Sequence, residues 1–143
     1  MDRPSDAHRT PLLIGLALPL GVTMFAVVAW LVRSQEPAPM TGPVVQTLSY
    51  AWIGFAAISS FAALAFFRSR VEPLIANRET PPADVAGQLA ANLLICWALV
   101  EAAALLGVTI YFLTGTLWTA IAGVILMWSA FLATRPQPEW FNR

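Results

Sequence analysis

One residue in this sequence is chemically out of place. Glu101 lies within Leu89 to Leu113, a long apolar stretch, and is the only acidic or basic residue inside any such stretch of the chain. An ionised carboxylate at the centre of a bilayer costs at least about 2.5 kcal/mol on insertion scales, so the group must be protonated, paired or set on a wet path. No Arg or His stands at matching depth in another apolar stretch. The neutral acid is therefore the expected resting state, and reversible proton binding is the chemistry it offers. Thr23, Ser59 and Ser60 are the hydroxyls placed to hydrogen-bond with it near mid-span.

Little other chemistry is available. One cysteine, Cys96, allows no internal disulfide, and one histidine, His8, builds neither a metal site nor a catalytic dyad. Cys96 reads as a small buried apolar residue and Trp97 as a packing or lipid-facing ring. No Ser/His/Asp or Cys/His set, phosphate-binding glycine loop or surface carboxylate pair within one hairpin is present, so no enzyme, cofactor or metal is expected. The eight basic residues are all arginine and are balanced by eight acids, so no basic field exists to hold nucleic acid.

The elements that must position Glu101 follow from composition. The 143 residues are 58% hydrophobic and 11% charged, far from the balance of a water-soluble domain. Four apolar stretches, Leu12 to Val32, Val44 to Phe67, Leu89 to Leu113 and Leu117 to Ala133, approach or exceed the roughly 20 residues that cross a bilayer as helix. Only helices or closed barrels satisfy every backbone polar group in lipid, and these stretches lack the alternation of barrel strands. The expected fold is all-α, an integral membrane four-helix bundle forming a single domain over 1–143. Its helices are about 12–32, 44–67, 82–113 and 117–133, with a loop over 68–81.

Arginines set the orientation. Seven lie before the first span, between the second and third, or after the fourth, whereas the opposite side has only Arg33. The positive-inside rule then places both termini and the 68–81 loop in the cytoplasm of a cell whose inner membrane the chain crosses four times. Three prolines and a glycine in Ser34 to Pro43 end the first helix, and Gly115 in Thr114-Gly115-Thr116 suits a left-handed residue between the last two. Thr80-Pro81-Pro82 reads as a cap followed by prolines in a first helical turn. Pro19 removes a backbone bond from the first helix. Trp30, Tyr50, Trp52, Tyr111 and Trp118 collect at the outer span ends, as an interfacial aromatic belt would. A six-residue echo, Leu20 to Phe25 against Leu106 to Tyr111, hints at a duplicated hairpin.

Without a hydrophobic drive between helices in lipid, small residues mark close contacts. Gly54 in the second span and Ala98, Ala102 and Gly107 around Glu101 in the third predict that these two spans form the packed core. Ala98-Leu99-Val100-Glu101-Ala102 with Leu106-Gly107-Val108 resembles the carboxylate-bearing helix of the rotary ATP synthase c subunit, a proteolipid. Arg68-Ser69-Arg70-Val71-Glu72-Pro73 distantly resembles the polar loop of that family's hairpin. The resemblance implies that Glu101 binds and releases a proton or sodium ion within a homo-oligomeric ring. The Trp97 to Glu101 stretch also resembles small four-helix bacterial membrane proteins of unassigned function.

Two functions are therefore expected from the sequence. The first is a non-enzymatic accessory or structural subunit, partnered by the bilayer and by other membrane subunits or further copies of itself. The alternative is a proton-binding, proteolipid-like carrier that uses Glu101.

Overall fold

The computed structural model describes residues 9–76 and 82–140; the expected Thr80-Pro81 cap and His8 lie outside them. The described chain is helical, and four of its helices are long and apolar enough to cross a membrane. In order they are α1 (Arg9–Arg33), α2 (Pro43–Phe66), α4 (Pro82–Thr114) and α5 (Leu117–Thr134), with a short α3 (Glu72–Ala76) between α2 and α4. Half of the apolar window of α4 is buried, against 22%, 22% and 28% for the other three, so α4 is the helix around which the rest are packed.

The ends of the helices follow local chemistry. Pro43 opens α2, where its missing N–H costs nothing, and Gly42 precedes it with φ +78°. Gly115 turns the chain between α4 and α5 at φ +72°, and its N–H bonds to the Tyr111 carbonyl at 2.7 Å. The Thr114 hydroxyl bonds that of Thr116 at 2.8 Å and closes the same turn. The long link from α1 to α2 lies across this hairpin end, where the Met40 N–H reaches the Leu113 carbonyl at 3.0 Å.

The expected 68–81 loop is corrected over its first half. A π-helical turn, Phe67–Val71, continues α2 into α3, so the helical rod runs to Ala76. The Glu72 N–H reaches back five residues to the Phe67 carbonyl immediately before Pro73, which has no N–H to donate. Val71 is fully buried and Ile75, four residues on, packs against the same core, so an apolar i, i+4 pair holds this charged segment as helix.

Two members of the expected aromatic belt turn inward. Trp30, Tyr50 and Trp118 are exposed, but Trp52 and Tyr111 are buried. The Trp52 indole N–H donates to the Ala103 carbonyl of α4 at 2.8 Å, and its ring meets Trp118 edge-on at 5.4 Å. A buried indole needs a partner for its N–H, and the α4 backbone supplies one.

Candidate functional site

Three seams fix the orientation of α4, and with it the direction of Glu101. Toward α5, a methyl placed on Gly123 would lie 2.8 Å from the Ala104 carbonyl, and one on Gly107 would lie 2.6 Å from the Thr119 carbonyl. The Thr119 hydroxyl also donates to the Gly107 carbonyl at 2.9 Å. Toward α2, Trp52 sits over Gly107, and the Cys96 thiol approaches the Ala63 carbonyl at 3.6 Å. Toward α1, the Trp97 ring fills the space that a side chain at Gly15 would need, and it also packs on Phe131 of α5 at 5.9 Å.

These contacts leave one stripe of α4 uncovered. Ala91, Ile95, Ala98, Ala102, Leu106 and Thr109 recur at three- and four-residue spacing and are all exposed. Glu101 lies at the edge of that stripe and is partly buried. It stands one turn beyond Trp97, so it borders the α1 seam. Among the described residues, no hydrogen bond or ion pair engages its carboxyl group.

The small residues expected to pack helices two and three divide accordingly. Gly107 is buried beneath Trp52 and Thr119. Gly54, Ala98 and Ala102 are corrected: all three face outward, and a methyl on Gly54 would meet nothing within 4 Å. Residues three before and three after Glu101 flank it on either side of the helix. Ala98 therefore faces out while Ala104 faces α5.

The three candidate hydroxyls are not joined to Glu101. Thr23 donates to the Pro19 carbonyl at 2.7 Å and accepts the Trp128 indole N–H at 3.0 Å, which ties α1 to α5. Ser59 is buried on α2, and Ser60 lines a groove on a different side of α4. Nor does the echo between α1 and α4 extend to environment: Gly107 is enclosed by two helices, whereas Gly21 has open space around its Cα.

Sequence reading missed that groove. It lies between α2 and α5, which meet at Trp52 and Trp118 but diverge toward Phe67 and Thr134. Its volume is about 280 Å³, and Cys96, Trp97 and Val100 of α4 form its floor. The Trp97 indole N–H donates to the Thr134 hydroxyl at 2.8 Å, and that hydroxyl donates to the Ala130 carbonyl at 2.7 Å. A second recess of about 260 Å³ lies at the opposite end between α1 and α5, bordered by Trp30 and Tyr111. Among the described residues, no three His, Cys, Asp or Glu side chains gather as metal ligands do. Comparison with protein-family models, curated proteins and solved structures gives no match to this chain.

Proposed function

We propose that this protein is a four-span integral membrane protein of the cytoplasmic membrane, with both termini inside. In this reading it acts without catalysis, as an accessory or structural subunit of a larger membrane complex. The uncovered stripe of α4 carries the proposal. It combines small residues that admit a second helix, Ala91, Ala98 and Ala102, with a partly buried carboxyl group that finds no partner among the described residues of its own chain. An intramembrane acid without an internal partner is satisfied when a neighbouring helix supplies a donor or acceptor, and small residues let that helix come close.

The alternative, a proton-binding carrier resembling the c subunit, draws its support from the same acid standing alone among apolar residues at the surface of a long helix. A photo-cross-linking residue placed at Ala98 in the native membrane separates the two. Cross-links to a different membrane protein, with none from Ile58 on the outer face of α2, support the subunit reading. Cross-links only between copies of this chain in a closed ring support the carrier. Lipid adducts alone at both positions refute docking through this stripe.

A further inference from the structure

The groove between α2 and α5 points to a ligand of its own. Its buried part is apolar: the floor is Cys96, Trp97 and Val100, and the Thr134 hydroxyl is already committed to Trp97 and Ala130. From Ser60 of α2 to Phe67 at the start of the π turn this wall rises through seven residue steps, about 10 Å of helix. A cavity of about 280 Å³ along that length admits a single hydrocarbon chain.

An arginine follows each wall of the groove in sequence. Arg68 directly follows Phe67 on one wall and Arg135 directly follows Thr134 on the other. Arg135 already has extended backbone angles, φ −55° and ψ 134°, so α5 ends at the rim. The π turn places Arg68 and Arg70 among exposed residues while Val71 is buried. Among the described residues, no ion pair or side-chain hydrogen bond engages Arg68, Arg70 or Arg135, although Glu72 and Glu139 lie at the same end. The second recess differs, because the arginine at its end, Arg33, donates to the Pro37 carbonyl at 2.8 Å.

We infer that this groove binds one anionic phospholipid, with an acyl chain along Cys96, Trp97 and Val100 and the phosphate between Arg68 and Arg135. An arginine pair at the headgroup level attracts an anionic lipid selectively, while the apolar slot below orders one chain. The inference rests on the membrane-spanning part of the proposed function and is independent of any protein partner.

The test uses the full chain in mild detergent, with phosphatidylglycerol and phosphatidylcholine as probes and native mass spectrometry as the readout. One phosphatidylglycerol should be retained in preference to phosphatidylcholine. R68Q/R135Q should weaken that retention roughly 30-fold, from the attraction of two arginines at a lipid surface. Among the described residues, neither arginine makes a hydrogen bond or ion pair that these changes would remove. Ser129→Phe, which fills the groove and leaves the arginines in place, should weaken it as well. Equal retention of both lipids, an unaffected R68Q/R135Q variant, or displacement of the lipid by inorganic phosphate alone would overturn the lipid site. Extraction of the chain from membranes by alkaline carbonate would instead overturn the membrane reading beneath it.

Discussion

Adding one methyl group at Gly107 tests the three-helix junction on which this fold depends. In Gly107→Ala the new carbon would lie 2.6 Å from the Thr119 carbonyl oxygen and 2.8 Å from the Trp52 indole nitrogen. The first is backbone and the second is held by its bond to Ala103, so neither can move aside cheaply. Forcing extra volume into a packed core costs about 1–3 kcal/mol. If Trp52 is displaced, its buried N–H loses its acceptor, which adds about 1 kcal/mol. The helix propensity of alanine over glycine returns about 1 kcal/mol. The net expectation is a loss of roughly 1–3 kcal/mol. Gly54→Ala gains the same propensity with open space around it, so it should be neutral or stabilising by up to about 1 kcal/mol. Reversible unfolding in mixed micelles of mild detergent and dodecyl sulfate measures both, with circular dichroism as the signal. A Gly107→Ala variant as stable as Gly54→Ala would refute the junction.

Other expectations test separate parts of the structure. Trp52→Phe keeps a ring against Gly107 but removes the donor to Ala103, so the same unfolding assay should show a loss near the average of about 0.6 kcal/mol for interhelical bonds in membranes; an unchanged midpoint would mean that this bond adds nothing. In a Cys96→Ala background, cysteine at Thr116 should react with an impermeant thiol reagent outside intact cells while cysteine at Ser69 should not, and the reverse pattern would invert the topology. Glu101→Gln keeps the size and hydrogen-bonding capacity of the neutral acid. Under the proposed subunit role, assembly with a partner complex and its activity should survive the change, whereas loss of a proton-coupled activity with the fold intact would favour the carrier reading. Under that alternative, a carbodiimide should label Glu101 in the wild-type protein in its native membrane.

The four apolar helices, the proline start of α2 and the glycine turn between α4 and α5 were legible in the sequence because hydropathy and chain punctuation are local properties. Pro43 opens a helix and Gly115 turns one wherever their neighbours lie. The isolation of Glu101 was equally visible, since no other charge occurs within its stretch. Which way each residue faces was not legible, because a helix apolar on every side offers no polar face to mark its exterior. Only the packed structure turns Gly107 inward beneath Trp52 and leaves Gly54, Ala98 and Ala102 outside. The same holds for Trp52 and Tyr111, whose types suit an interface until a neighbouring backbone or core claims them. The charges and proline of 68–73 suggested a loop, yet burial of Val71 and packing of Ile75 against the same core keep the segment helical. Composition set what could enter a membrane, and contacts between distant residues decided what each helix shows to its neighbours.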